Sequence, residues 1–204
     1  MEMTEPTNAP LRILALAGSL RRGSWNRRLL EAARDLAPAG VHLDVVDLGD
    51  LPLYDADLDT EETRPAAVRR LKQRVAEADG VLVATPEYNH SVPGVLQNAI
   101  DWISRPAMKS PLVEKPAAIM GVSTGAFGAA RAQQQLKLVL MATLAQVLPH
   151  PGVSVGLAAE KFDAEGRLVH EPTRQFVAAY LAAFEAWIRR VGQSSIAGRS
   201  VRAA

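Results

Sequence analysis

Residues 16–28 read LAGSLRRGSWNRR and connect an apolar run to the start of a helical pattern. The stretch contains two glycines, two serines, one asparagine and four arginines. Because the first turn of a helix presents unpaired N–H groups with a partial positive charge, such a loop can bind a phosphate. Its hydroxyl and amide donors would be Ser19, Ser24 and Asn26. Arg21 would add an ionic contact.

The two glycines of this loop, Gly18 and Gly23, can adopt backbone dihedrals that are closed to other residues. Serine and asparagine are also common helix caps, so an ordinary strand-to-helix turn remains an alternative. The loop lacks the lysine of the G-x-x-x-x-G-K-S/T fingerprint and the glycine spacing of G-x-G-x-x-G. The pattern therefore disfavours a nucleoside triphosphatase and an ordinary dinucleotide-binding fold.

The same stretch forms the first strand-to-helix connection in a pattern that repeats along the chain. Short apolar runs closed by breakers predict parallel strands covered on both sides, at 11–18, 41–48, 80–86, 117–123 and 152–156. Segments of helical period follow them, at 26–37, 64–78, 94–104, 129–148 and 172–191. The alternation predicts an α/β fold with a doubly wound parallel sheet, in one domain over 11–191. The aperiodic ends, 1–10 and 192–204, are expected to be disordered tails.

Composition limits the function classes. The chain has 204 residues, 48% of them apolar, which is enough for the core of one α/β domain. Its 23 basic and 22 acidic side chains leave almost no net charge, which disfavours nucleic-acid binding. The absence of cysteine excludes disulfides, thiolate metal sites and a cysteine nucleophile, and favours a cytoplasmic protein. The polar start is unlike a signal peptide, and no apolar run approaches the ~20 residues of a membrane span.

Three polar, glycine-rich loops follow the predicted first, third and fourth strands. They are GSLRRGSWN (18–26), TPEYNHSVPG (85–94) and STGAFGAAR (123–131). In an open parallel sheet, ligands bind beyond the carboxyl ends of the strands, so these loops are the candidate site. Pro86 and Pro93 restrict the second loop, whose amides could therefore donate to a flat heteroaromatic ring.

The third loop is built of small residues that let a planar ligand approach the backbone, with Ser123 and Thr124 as donors. A purely structural interpretation remains open for each of these loops. The second is then simply a rigid loop, and the third is a glycine-rich strand-to-helix turn. Tyr88 and Trp102 are residue types that more often pack than stack on a ligand, and His90 is more often a surface histidine than a catalyst.

At these spacings, GSLRRGSWN, TPEYNHSVPGVLQNAIDW and STGAFGAAR resemble the NADPH-dependent FMN reductase family, which includes flavoproteins described as chromate or quinone reductases. The similarity runs from about Leu11 to Val191 and includes LPLYDADL (51–58). It implies a flavodoxin-like sheet in the order 2-1-3-4-5, noncovalently bound FMN, and homodimers or homotetramers with flavins near subunit contacts.

The resemblance also implies site residues. It assigns the FMN phosphate to Ser19, Arg21, Ser24, Trp25 (through its backbone) and Asn26. It assigns the isoalloxazine ring to Pro86, Glu87, Tyr88 and Asn89, and on the far side to Ser123, Thr124 and Gly125. Close relatives often have an aromatic residue where His90 stands, toward the subunit contact, so a dimer is better supported than a tetramer.

With no cysteine and no nucleophile-base pair in these loops, we expect FMN to carry the chemistry, with no catalytic side chain and no metal. Hydride would pass from NADPH or NADH to the flavin and then, in a ping-pong sequence, to an acceptor in the same pocket. Quinones, free flavin, azo dyes, nitro compounds and chromate are all plausible acceptors.

Two other classes remain open. A flavodoxin-type one-electron carrier is usually strongly acidic, whereas this chain is nearly neutral. A receiver-like module needs an acidic cluster at its strand ends, and neither the first nor the third predicted strand ends in aspartate.

Overall fold

The computed structural model describes residues 9–202, so most of the expected N-terminal tail and residues 203–204 lie outside the described residues. Its strands are β1 (Leu11–Ala17), β2 (Val41–Val46), β3 (Gly80–Ala84), β4 (Pro116–Val122), β5 (Gln146–Val147) and β6 (Val153–Val155). Its α-helices are α1 (Trp25–Asp35), α2 (Ala66–Glu77), α3 (Gly94–Ile103), α4 (Ala130–Ala142), α5 (Ala158–Lys161) and α6 (Glu171–Arg202).

The strands form one parallel sheet in the order β2-β1-β3-β4-β5, which confirms the predicted flavodoxin-like topology. Its core lies in two layers, one on each face. Successive residues of β1 alternate between the layers, so that Ile13 packs on the α1 and α6 side and Leu14 on the side of α2, α3 and α4. This alternation follows from the period-2 geometry of a strand that is buried on both faces.

The fifth position of the sheet is divided between two short strands. β5 pairs with the start of β4 (Pro116↔Gln146), and β6 pairs with its end (Met120↔Val153). Pro149 and Pro151 lie between the two strands and have no N–H group to donate to a sheet ladder. The predicted strand at 152–156 is therefore observed as β6, whereas β5 was not predicted.

Two predicted helix ends differ from the structure. α4 ends at Ala142 rather than at residue 148, because Leu144 adopts a left-handed backbone (φ 65°) and turns the chain into β5. The Thr143 hydroxyl donates to the Leu140 carbonyl (2.7 Å) and caps this end. α6 continues to Arg202, past Val191, so the described part of the expected aperiodic tail is helical. Within residues 9–202, no helix is both long and apolar enough for a membrane crossing.

Candidate functional site

The loops after β1 and β3 pack against each other at the carboxyl edge of the sheet. The Gly18 N–H donates to the Ala84 carbonyl (2.8 Å), and a Cβ at Gly18 would lie 3.0 Å from Cδ of Pro86. Neither Gly18 nor Gly23 has a positive φ, so the expectation of special dihedrals there is wrong. Gly18 is needed for close approach between two loops, while Gly23 faces open space.

The first turn of α1 has two free backbone donors. The Ser24 hydroxyl accepts from the Arg27 N–H (3.3 Å) and its carbonyl accepts from the Arg28 N–H (3.1 Å), so Ser24 is the helix cap. Among the described residues, no acceptor bonds the N–H groups of Trp25 and Asn26. These two donors are available to an anion at the positive end of the helix.

The side chain of Asn26 has a different role from the one expected. It is buried, and its amide donates to the Val122 carbonyl (3.1 Å) and accepts from the Val122 N–H (3.0 Å). The side chain thus joins the start of α1 to the end of β4, and the free donor of Asn26 is its backbone N–H.

Two arginines add positive charge to the first loop. Arg21 and Arg22 are exposed, and within the described part of the chain neither forms a salt bridge. The Trp25 ring packs on Phe162 (centroids 5.3 Å apart), with the Arg28 guanidinium over its face. Ser19 is buried, and its hydroxyl lies 3.4 Å from the Tyr88 hydroxyl. The first loop therefore contacts the second.

The second loop is a tight hairpin. The Tyr88 N–H donates to the Ser91 carbonyl (3.2 Å), and the Ser91 N–H donates to the Tyr88 carbonyl (3.0 Å). Asn89 (φ 51°) and His90 (φ 63°) are both left-handed, as a two-residue hairpin turn of the I′ type requires. Asn89 is exposed at its tip, and its N–H has no partner among the described residues. The hydrogen bonds of the hairpin thus make the second loop rigid, in addition to the restriction by Pro86 and Pro93.

The Glu87 carboxylate faces α4. It accepts from the N–H groups of Arg131 (2.9 Å) and Ala132 (3.2 Å) and from the Arg131 guanidinium (3.0 Å). Burial raises the pKa of this carboxyl, but the bonds from the Arg131 side chain and the two N–H groups outweigh it, and the pKa lies below its ordinary value. Glu87 is ionised at neutral pH and caps the helix.

The third loop is fixed from within by Ser123. Its hydroxyl donates to the Gly125 carbonyl (2.9 Å) and accepts from the Gly128 N–H (3.1 Å). Gly128 has a φ of 55°, and a Cβ there would lie 2.4 Å from the Ser154 carbonyl carbon, so only glycine fits. Thr124 and Gly125 are exposed, and their N–H groups have no partner within residues 9–202. The Ser123 side chain supports the loop, and its neighbours present the free donors.

Of the other residues singled out in the sequence, Trp102 belongs to the core and His90 to the surface. Trp102 is fully buried and donates to the Pro52 carbonyl (2.9 Å), which confirms packing rather than stacking on a ligand. The sequence reasoning missed the supporting roles of α4, whose Arg131 and Gln135 bond to the second loop. The run of three glutamines at 133–135 in this helix was the available signal.

Comparison with known proteins gives consistent results. Residues 11–160 match the family described as NADPH-dependent FMN reductase. An NAD(P)H-dependent FMN reductase of Pseudomonas aeruginosa is 42% identical over 181 residues, which cover 89% of this chain and 97% of the relative. A quinone reductase of Escherichia coli is 40% identical over 183 residues, which cover 89% and 97%.

The solved structure of FerB, a flavoenzyme NAD(P)H:(acceptor) oxidoreductase from Paracoccus denitrificans, has the same fold. It aligns with a TM-score of 0.81 and 37% sequence identity, and the alignment covers 88% of this chain and 98% of FerB. The likeness therefore extends over nearly the whole length of both chains.

Proposed function

We propose, from the premise that this chain belongs to the NADPH-dependent FMN reductase family, that it passes two electrons from NAD(P)H through FMN to a quinone or a similar acceptor in a ping-pong sequence. The chain is an oxidoreductase that uses FMN and NAD(P)H. Beyond this, we propose which residues bind FMN, the order in which the two substrates react, and the acceptors. The observation that supports them is the meeting of three loops with free N–H donors at one edge of the sheet.

The first loop fits the phosphate of FMN. Its free donors are the N–H groups of Trp25 and Asn26, the partly positive end of α1 lies there, and Arg21 is exposed without an ion-pair partner among the described residues. Ser19 adds a buried hydroxyl. The side chains of Ser24 and Asn26 hold the loop in place, so we assign them to its architecture and their backbones to the anion.

The second and third loops fit the polar edges of the isoalloxazine ring. We assign the N–H of Asn89 to one edge and those of Thr124 and Gly125 to another, because all three are exposed on rigid loops. Pro86, at the start of the second loop, is buried. Such fixed dipoles stabilise negative charge on a bound group without reorganisation.

When bound, FMN supplies the capacity to accept hydride from NAD(P)H and to reduce a second substrate. The residues of this chain bind and orient it, and none of them needs to act as a general acid or base. The relatives named quinone reductases favour a quinone as the acceptor. Chromate, free flavin, azo dyes and nitro compounds are further candidates, since the shape of the pocket decides between them.

Ping-pong kinetics are the expected outcome of steady-state measurements. NADPH and quinone would use the same pocket in turn, so the oxidised nucleotide must leave before the acceptor binds. Initial rates at several fixed quinone concentrations should give parallel lines in double-reciprocal plots against NADPH. Intersecting lines would show that both substrates bind together, and repeating the series with NADH measures the preference between donors.

We also propose that α4 forms a contact between two copies of the chain. Leu138 (68% exposed) and Met141 (59% exposed) leave an apolar strip on its surface, and the exposed Met108 (72%) lies near Val139 and Ala142 of the same helix. α3 buries most of its apolar residues in the core of the domain, so it is not assigned to this contact. The strip suits an isologous dimer interface.

The expected measurement is a dimer mass at micromolar concentration by light scattering. Leu138→Glu combined with Met141→Glu should shift it to the monomer, because two charges would be buried on each side of the two-fold axis. Glu substitutions at the exposed positions Arg69 and Arg70, which lie on α2 rather than on α4, provide a control for added charge. A monomeric wild-type chain would contradict this assignment.

A further inference from the structure

We propose that Glu87 is a positioning residue, whose carboxylate fastens the hairpin at Tyr88–Ser91 to α4 and thereby determines how tightly FMN is held. The inference rests on the proposed function, which places the ring of FMN against this hairpin. It differs from the sequence interpretation, in which Glu87 itself touches the ring.

The Glu87 side chain is committed to the protein. Only 12% of it is exposed, and both oxygens accept bonds from the first turn of α4, from Arg131 and Ala132. A carboxylate at a helix N-terminus is stabilised by unpaired N–H groups and by the helix dipole. The contact spans 44 residues of sequence, so it joins two separate loops rather than a single turn.

A second contact fastens the other end of the hairpin to the same helix. Gln135 donates through Nε2 to the His90 carbonyl (3.1 Å) and accepts through Oε1 from the Ser91 hydroxyl (2.7 Å). Glu87 precedes the hairpin and Ser91 closes it, so α4 holds both ends. The tip of the hairpin, with Tyr88, Asn89 and His90, remains exposed.

The hairpin needs this support because its turn is strained. Asn89 and His90 both have positive φ, and a left-handed histidine is unfavourable unless surrounding contacts impose it. Without the anchor at Glu87, the hairpin would sample other conformations, and the Asn89 N–H would lose its fixed direction. Binding FMN would then include the cost of ordering the hairpin.

The same anchor connects the second loop to the third. α4 begins directly after the third loop, through Gly128 (φ 55°) and Ala129 (φ 61°). The Arg131 guanidinium also lies over the Phe127 ring, 5.0 Å from its centroid. One carboxylate therefore fixes the relative placement of both loops assigned to the ring.

The test is FMN affinity, measured by quenching of flavin fluorescence at pH 7, for Glu87→Gln, Arg131→Met and the double variant. Glutamine can accept from an N–H but lacks the charge that serves two N–H groups and a guanidinium. We expect the FMN Kd of Glu87→Gln to rise about tenfold. Since Arg131→Met breaks the same link, the double variant should fall well short of the product of the single effects.

The matched control is Gln134→Gly, which weakens α4 at an exposed position that has no contact with the hairpin. It should keep the FMN Kd within about twofold of the wild-type value. An equal loss of affinity in this control would overturn the inference, because general weakening of α4 would then explain the result. Multiplicative effects of Glu87→Gln and Arg131→Met would also overturn it.

The result separates this inference from the function on which it rests. Wild-type protein that binds FMN, together with a Glu87→Gln variant of unchanged affinity, would overturn the positioning role alone. Wild-type protein that binds no FMN would overturn the proposed FMN site and this role together.

Discussion

Mixing the FMN-loaded protein with one equivalent of NADPH in the absence of oxygen should bleach the visible flavin band directly. The donors assigned to FMN lie on the hairpin tip, at Asn89, and on the third loop, at Thr124 and Gly125. They would hold the edges of the ring and leave one face open for a nicotinamide to stack. A reductase with such an open face accepts hydride without a separate partner protein.

The measurement is stopped-flow absorbance, followed by addition of a quinone, which should restore the band. A one-electron carrier gives a different result, since it lacks a nicotinamide site and accepts electrons only from a separate reductase. Dithionite serves as the control because it reduces bound flavin in either class of protein. A band that dithionite bleaches and NADPH leaves unchanged would refute the reductase proposal in favour of the carrier.

The sheet was predictable from sequence because most of its strands have a recognisable local pattern of apolar residues. β3, β4 and the part of β1 after Arg12 are continuous apolar runs, and their burial on both faces explains that pattern. β5 was not predictable, since its two residues are a regular continuation of the helical period before them. Its pairing depends on β4, about 30 residues earlier, and on the left-handed turn at Leu144.

The candidate site was predictable as a set of loops but not as a set of side-chain roles. The three loops stand out by composition, and topology alone brings their strand ends to one edge. The partners of individual side chains are set by tertiary contacts that no local pattern encodes. Asn26 bonds across 96 residues to Val122, and Glu87 bonds across 44 residues to Arg131. Both are polar residues whose side chains form hydrogen bonds within the protein.

Asn26→Ala should destabilise the FMN-free protein strongly, although the sequence placed this side chain on a ligand. The substitution leaves the buried N–H and C=O of Val122 without partners, and each such loss costs about 1–3 kcal/mol. We expect the free energy of unfolding to fall by roughly 3 kcal/mol in urea titrations. Asn26→Asp should also destabilise, since a carboxylate can accept from the Val122 N–H but repels its carbonyl.

Arg21→Ala is the matched comparison, because it removes a charge from the same loop without removing a contact within the described residues. Arg21 is exposed, so its loss should change the stability of the FMN-free protein by less than about 0.5 kcal/mol. It should still weaken FMN binding, and the loss should shrink as salt screens the phosphate charge. The two variants thus separate architecture from ligand binding. An Asn26→Ala protein as stable as the wild type would show that the bonds to Val122 contribute no net stability. That result would favour the original interpretation, in which the Asn26 side chain binds the phosphate.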